Sequence, residues 1–260
     1  MSVNIALLQL AVADTEPVYE RVPRVIGMIR QAAQRAELIV LPELWPTGAF
    51  AYETMATHAQ PLDGPLIDDL SAVAGECGVW LHGGSFVEAS GGDLFNTSVL
   101  FAPDGRLVAS YRKIHLFGFD GGETTLLSGG DELVVVDTPL GPTGLATCYD
   151  LRFPEFFRAL TEGGATAVLL TSGWPLSRVG HWHVLVQARA IEDQLLMVAC
   201  NEVGTQGSVT LAGHSMVVDP RGAVIVQAGE HADVVYASVD PDAAHQWRET
   251  FPVLRDIRLR

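Results

Sequence analysis

The chain has 260 residues, of which 48% are hydrophobic and 18% are charged. A chain of this length and composition can bury a full core without disulfides, so it is typical of a globular protein and not of a disordered one. Acidic residues outnumber basic residues 31 to 16, and the formal net charge of −15 opposes binding to nucleic acid or to anionic membranes. We therefore expect neither as a partner.

The three cysteines are Cys77, Cys148 and Cys200, and they form no CxxC pair. Their small odd number predicts reduced thiols and not a disulfide framework. Cys77 lies on the apolar stripe of a predicted helix and Cys200 ends a strand-like run, so both are expected to be inert core residues. No stretch approaches the roughly 20 apolar residues of a membrane-spanning helix. We expect a cytoplasmic protein.

Short apolar runs of strand length alternate with segments of helical period. Strands are predicted over residues 3–10, 38–41, 79–87, 97–101, 133–136, 144–147, 168–171 and 196–200. Helices are predicted over residues 18–36, 65–77, 155–160 and 183–193. Tight turns at 103–106 and 219–222 predict hairpins that join 99–101 to 107–109 and 216–218 to 224–226.

This alternation predicts an α/β protein in which helices cover mixed sheets. No linker or change in composition divides the chain, so we expect a single domain over residues 1–260, with a core of about 4–239 and a C-terminal tail of 240–260. Periodicity alone leaves open whether the strands form one large sheet or two stacked sheets.

Three polar residues follow predicted strands, where α/β proteins usually place their sites. Glu43 follows Pro42 after a buried run, Lys113 follows the strand that ends near Ser110, and Cys148 lies between an apolar strand and a helix that Pro154 can initiate. A carboxylate, an ammonium group and a thiol can together deprotonate the thiol and stabilise an oxyanion. Taken singly, Glu43 could be a helix cap and Lys113 a solvated surface residue.

The segments around these residues resemble the nitrilase superfamily, the carbon–nitrogen hydrolases. The resemblance is carried by Pro42-Glu43, by Tyr-Arg-Lys-Ile-His-Leu over 111–116 and by Cys-Tyr-Asp-Leu-Arg-Phe-Pro-Glu over 148–155. Each motif is short, but the three occur in the family's order with similar flanks such as Asn96-Thr97-Ser98. The similarity extends from Asn4 to about Val239.

The resemblance implies a four-layer α-β-β-α sandwich and a role for each matched residue. Cys148 would be the nucleophile, Glu43 the general base, and Lys113 the cation that stabilises the tetrahedral intermediate with the backbone N–H of Tyr149. The family has a second glutamate between the lysine and cysteine motifs, for which Glu123 is the candidate and Glu132 an alternative. Family members usually form homodimers and require neither metal nor cofactor.

Tyr-Asp after the cysteine is similar to the amidase branches, and the motifs are most similar to the omega-amidase and deaminated-glutathione-amidase group. The implied reaction is hydrolysis of a small-molecule amide through a cysteine thioester. Cleavage of a nitrile or N-carbamoyl group, acyl transfer to an amine, and a catalytically silent binding module are alternatives. The segment 118–123 departs from the expected sequence beside the pocket, so the substrate stays open.

Three further residues are candidates for the surroundings of the site. Trp174 follows a predicted strand and could form a wall of the pocket. Arg152 could bind a substrate carboxylate, although an ion pair with Glu155 or another acid is the favoured interpretation. His115 is interpreted as a structural hydrogen-bonding residue.

Overall fold

The computed structural model describes residues 2–118 and 121–259 and contains two six-stranded sheets. The strands are β1 (Val3–Gln9), β2 (Leu38–Val40), β3 (Trp80–Ser90), β4 (Asp93–Phe101), β5 (Leu107–Arg112), β6 (Val135–Thr138), β7 (Gly141–Thr147), β8 (Ala167–Ser172), β9 (Leu196–Asn201), β10 (Val203–Gln206), β11 (Val209–Ala212), β12 (Met216–Val218), β13 (Val224–Gln227) and β14 (Asp233–Val239). The α-helices are α1 (Val18–Ala32), α2 (Tyr52–Met55), α3 (Pro65–Cys77), α4 (Glu123–Leu126), α5 (Pro154–Glu162), α6 (Val179–Asp193) and α7 (Ala243–Thr250).

The first sheet has the strand order β14-β1-β2-β3-β4-β5, and the second has the order β13-β12-β9-β8-β7-β6. Within each sheet the central strands are parallel and the edge strands antiparallel. Strands β10 and β11 form a separate hairpin. Both predicted hairpins are present, as the pairs β4–β5 and β12–β13.

Side-chain alternation along β1 explains how the layers stack. Ile5 and Leu7 belong to a core cluster that includes β8 and β9 of the second sheet, whereas Ala6 and Leu8 belong to a cluster with α1 and α3. Because successive side chains of a strand point to opposite faces, one sheet buries its two faces against different layers. Helices α5 and α6 cover the other face of the second sheet. The predicted four-layer α-β-β-α sandwich is confirmed, with two stacked sheets.

The main differences from the predicted elements lie at their boundaries and in the last third of the chain. Helix α6 begins at Val179, four residues before the predicted start, and β6 covers Val135–Thr138 instead of 133–136. Strand β14 pairs along the whole of β1 and forms one edge of the first sheet. Within the predicted tail, α7 docks on the core because the Arg248 guanidinium donates hydrogen bonds to the carbonyls of Ala165 and Asp193. Among the described residues, no helix is long and apolar enough to cross a membrane.

A bulge in β3 supports the loop that follows β2. The register of β3 shifts between His82 and Ser85, and Gly84 there has a φ of +66°. The Ser85 hydroxyl accepts a hydrogen bond from the backbone N–H of Leu44 at 2.9 Å, and the Trp45 indole donates to the Gly83 carbonyl at 2.8 Å. The bulge therefore holds the two loop residues that follow Glu43.

Substitution of Gly84 tests this close approach. A Cβ atom there would overlap the Pro42 carbonyl oxygen and lie 2.8 Å from Trp45 Cδ1, in a left-handed conformation that is itself unfavourable. Gly78 is a matched control, because its φ is +65° but a Cβ atom on it would have no neighbour within 4 Å. We expect Gly78→Ala to cost about 1–2 kcal/mol of unfolding free energy, and Gly84→Ala to cost at least about 1 kcal/mol more. Equal losses in urea denaturation would contradict this account.

Candidate active site

Glu43, Lys113 and Cys148 each lie within three residues of a strand end, and all three line one cavity. Glu43 follows β2 and Lys113 follows β5 of the first sheet, whereas Cys148 follows β7 of the second sheet. The predicted convergence of these residues in space is present. Segments that follow strands of both sheets therefore contribute side chains to the cavity.

Cys148 lies on a sharp turn that a buried carboxylate stabilises. Its φ is +43°, which is uncommon for a residue other than glycine and indicates local strain. Asp150 Oδ2 accepts hydrogen bonds from the Thr147 backbone N–H at 2.9 Å and from the Tyr111 hydroxyl at 2.7 Å. Asp150 Oδ1 accepts a hydrogen bond from the backbone N–H of His115, and the His115 ring atom Nδ1 lies 2.8 Å from the same oxygen. This agrees with the structural interpretation of His115 and ties the Cys148 turn to the segment carrying Lys113.

The Lys113 ammonium group lies between two carboxylates. Its Nζ atom is 2.8 Å from Glu43 Oε1 and 2.7 Å from Glu123 Oε2. The Asn96 amide donates to Glu43 Oε1 and to Glu123 Oε1, both at 2.8 Å. Glu43 Oε2 accepts a further hydrogen bond from the Gly173 backbone N–H. All three charged side chains are almost completely buried, so their positions are fixed before any ligand enters.

The pKa values in the cavity follow from burial and from these charges. Burial alone would lower the pKa of Lys113, but Glu123 and Glu43 outweigh it and raise the pKa well above its ordinary value. The Cys148 thiol has a pKa well above its ordinary value, because of burial and the Glu43 charge, although Lys113 acts in the opposite direction. Burial and Glu123 raise the pKa of Tyr52 to about 12. At neutral pH the lysine is therefore charged and the resting thiol is protonated.

The structure distinguishes between the two candidates for the second glutamate. Glu123 is 2% exposed, contacts Lys113, and accepts a second hydrogen bond at Oε2 from the Phe117 backbone N–H. Glu132 is exposed and contributes to a different surface depression. Glu123 therefore belongs to the buried cluster and Glu132 does not. Of the atypical segment 118–123, Phe119 and Asp120 lie outside the described residues.

The cavity is partly open, and its roughly 380 Å³ of empty space includes solvent at its mouth. Its described lining comprises Glu43, Ala49, Phe50, Tyr52, Lys113, Phe117, Glu123, Cys148, Tyr149, Arg152, Gly173, Trp174, Pro175 and Arg178. Tyr149 and Trp174 are both part of this lining.

Among the described residues Arg152 forms no ion pair with Glu155 or with another acid, so the favoured interpretation of this residue is wrong. Its guanidinium lies 3.2 Å from His181 Nδ1 and 4.7 Å from the centroid of the Trp174 ring, and the side chain faces the cavity. Sequence reasoning also assigned no role to Asn96 or Arg178. The proximity of Asn96 to Lys113 could have been inferred from the predicted β4–β5 hairpin, because the register of that hairpin places the two residues opposite each other. In the structure the backbone N–H of Lys113 donates a hydrogen bond to the Asn96 carbonyl.

Comparison with known proteins agrees with this geometry. Residues 4–249 match the carbon–nitrogen hydrolase family model. The chain is 40% identical to 2-oxoglutaramate amidase of Paenarthrobacter nicotinovorans, over 98% of this chain and 89% of that protein. It is 35% identical to human omega-amidase NIT2, over 99% of this chain and 95% of that protein. The structure of Saccharomyces cerevisiae Nit3, in branch 10 of the nitrilase superfamily, superposes with a TM-score of 0.90 at 30% identity, covering 99% of this chain and 97% of Nit3.

A further buried acid, Glu202, lies behind Glu43 and was not singled out from the sequence. Its Oε1 atom accepts a hydrogen bond from the Gln206 amide at 3.2 Å, and its Oε2 atom has no hydrogen-bond partner within the described residues. A Cβ atom on Gly173 would lie 2.9 Å from Glu202 Oε1 and 3.5 Å from Glu43 Oε2, so the two acids flank that glycine. Burial and the Glu43 charge raise the pKa of Glu202 well above its usual value.

The raised pKa of Glu202 predicts a pH dependence of stability. Above the unfolded value of about 4.5 the folded protein keeps a proton that the unfolded chain releases, so rising pH destabilises the fold until Glu202 itself ionises. Glu202→Gln removes this effect. Its unfolding free energy relative to wild type should increase by more than about 1 kcal/mol between pH 5 and pH 8. Urea denaturation measures this, with exposed Glu132→Gln as the matched control, and parallel profiles for Glu202→Gln and wild type would contradict the prediction.

Proposed function

Because the chain belongs to the carbon–nitrogen hydrolase family, we propose that it hydrolyses the amide bond of a small molecule through a thioester on Cys148. The observation that carries the proposal is the buried Glu43–Lys113–Glu123 cluster beside a strained cysteine in one small cavity. These groups supply a base, a fixed cation and a nucleophile. No step of this reaction needs a metal or a cofactor.

In the first half of the reaction, Glu43 accepts the thiol proton while Cys148 Sγ attacks the amide carbonyl carbon. A base beside the sulfur is required because the raised pKa keeps the resting thiol protonated. The carbonyl oxygen becomes an oxyanion, which the Lys113 ammonium and the Tyr149 backbone N–H stabilise. When the intermediate collapses, the C–N bond breaks, and nitrogen takes the proton from Glu43 and leaves as ammonia or an amine.

In the second half, water replaces the departed amine. Glu43 removes a proton from the water, and the resulting hydroxide attacks the thioester carbonyl at the same oxyanion site. Cleavage of the C–S bond releases the carboxylic acid and returns the proton to the thiol. Glu123 acts through Lys113: its carboxylate and that of Glu43 keep the ammonium charged and aimed into the cavity.

The relatives support an amide carried by a short carboxylic acid. Two of them are named for 2-oxoglutaramate and for omega-amides, and the side chains of the proposed mechanism line one cavity. We propose an omega-amide of a short dicarboxylic acid as the substrate. The single domain, the homodimer and the cytoplasmic location remain predictions.

Removal of the sulfur tests the nucleophile. Cys148→Ala is expected to fold normally, as measured by circular dichroism, and to lose at least about 10⁴-fold in ammonia release, because no thioester can form. Cys77→Ala is a matched control, since that cysteine is also free and partly buried but lies in α3, away from the cavity lining. Turnover by Cys148→Ala near the wild-type rate would rule out the mechanism.

The two candidates for the second glutamate provide their own comparison. Glu123→Gln preserves the shape but removes one charge that holds Lys113, and we expect kcat to fall by about 100-fold, as for a lost oxyanion donor. Glu132→Gln changes the same charge at an exposed position and should keep kcat within about twofold. Steady-state assays of both variants decide the assignment, and the reverse pattern would transfer the role to Glu132.

A further inference from the structure

The hairpin of β10 and β11 belongs to neither main sheet, yet it supports the lining of the cavity. Through β11, the Ala212 backbone N–H donates a hydrogen bond to the Trp174 carbonyl at 2.9 Å, and Leu211 forms an isolated β-bridge with Pro175. Trp174 and Pro175 both line the cavity. No residue of this hairpin takes part in the hydrolytic mechanism, so its contacts with the cavity lining call for another explanation.

Through β10, the hairpin holds the loop that follows β2. Gln206, the last residue of β10, is 1% exposed. Its Oε1 atom accepts a hydrogen bond from the Phe50 backbone N–H at 2.8 Å, and its Nε2 atom donates to Glu202 Oε1 at 3.2 Å. The amide also lies directly against Gly48, where a Cβ atom would be 3.0 Å from Gln206 Cδ and Oε1. Gln206 thus holds the backbone on either side of Ala49.

Phe50 belongs to an aromatic wall of the cavity, formed by Tyr52, Phe50, Phe117 and Tyr149. The Phe50 ring meets Tyr52 and Phe117 edge-on, each with ring centroids 6.1 Å apart, and Phe117 meets Tyr149 at 5.3 Å. Edge-to-face contacts of this kind are favourable. The four residues lie in the segments that follow β2, β5 and β7, which also carry the base, the ammonium group and the nucleophile. A shift of Phe50 therefore changes the space around the nucleophile.

The aromatic wall has open space on two sides at Phe50 and Tyr52. Both residues line the cavity, and both also line a second surface depression that includes Asp14 and Gly207. Both are only partly buried. Side chains with space on two sides have less van der Waals packing to fix them, so a buried hydrogen bond to their backbone contributes more to their position than it would in a core.

Glu202 fixes the Gln206 amide from behind. Glu202 is completely buried, and because the amide bonds at both its oxygen and its nitrogen, it cannot rotate without losing one of the two partners. A Cβ atom on Gly173 would lie 2.9 Å from Glu202 Oε1 and would overlap Ala49 Cβ. The Gly173 backbone N–H donates to Glu43 Oε2. The loop after β2 and its support by the hairpin are therefore packed directly against the base.

On the basis of the proposed amide hydrolysis, we propose that Gln206 is a positioning residue that holds the aromatic wall in its substrate-binding position through the Phe50 backbone. Without this hydrogen bond the wall adopts other positions, and only a fraction of the enzyme is ready to bind. The apparent affinity falls by that fraction. Bound substrate still meets an intact set of Glu43, Lys113 and Cys148, so the expected signature is a raised KM with kcat nearly unchanged.

The experiment removes the hydrogen-bond acceptor and measures both steady-state constants. The probe is the best substrate among succinamate, glutaramate and adipamate. Gln206→Leu should raise KM about 10- to 100-fold, the effect of leaving a buried N–H unpaired, and should keep kcat within about threefold. Gln206→Asn, which shortens the side chain so that it cannot reach both partners, should act in the same direction and serves if Gln206→Leu does not fold. Thr205→Ala, at the neighbouring exposed position of β10, is the matched control.

A double-mutant cycle with Phe50→Ala tests whether Gln206 acts through the wall. In the Phe50→Ala background the further change Gln206→Leu should alter KM by less than about twofold, because the ring that it positions is already gone. A KM within about twofold of wild type in both Gln206 variants, or a full rise that persists in the Phe50→Ala background, would overturn the inference and leave amide hydrolysis standing. Wild-type protein that releases ammonia from none of the three amides would instead overturn the proposed function, and with it this inference.

Discussion

The buried ion cluster around Lys113 is the interaction on which the rest of the site depends. An ammonium group that is 1% exposed would be strongly destabilising without partners, because desolvation of a charge costs several kcal/mol. Glu43 and Glu123 provide those partners, and Asn96 bridges the two acids. The partners thus offset the cost of burying the ammonium group, and the cluster supplies the charge that the proposed mechanism uses. Because a buried charge needs partners, the segments that carry Glu43, Lys113 and Glu123 are held together by these contacts.

The same cluster joins the two sheets. Glu43 follows a strand of the first sheet, yet its carboxylate accepts a hydrogen bond from Gly173 and its backbone N–H approaches the Ser172 carbonyl, at the end of β8 in the second sheet. Asp150 makes the complementary connection, from the turn after β7 to Tyr111 on β5. A change in how the sheets pack would therefore alter the site directly.

Charge is distributed unevenly within the small cavity. In the buried cluster one cation, Lys113, lies between two acids, and burial raises the pKa of Glu202 behind Glu43, so that Glu202 keeps its proton. Arg152 and Arg178 also line the cavity, and neither has an acidic partner among the described residues.

The sequence by itself determined the elements and the chemistry-bearing residues, because strand and helix periods are local and because Glu43, Lys113 and Cys148 stand in motifs directly after predicted strands. The β4–β5 hairpin even implied that Asn96 faces Lys113. The stacking of two sheets followed from family resemblance and not from periodicity, since alternation along one strand does not reveal which layer lies opposite. Only the tertiary structure decided between Glu123 and Glu132, moved Arg152 from a surface ion pair to the cavity wall, and placed Arg178 and Glu202 beside the site. Those outcomes depend on contacts between segments far apart in the chain, and no local pattern encodes them.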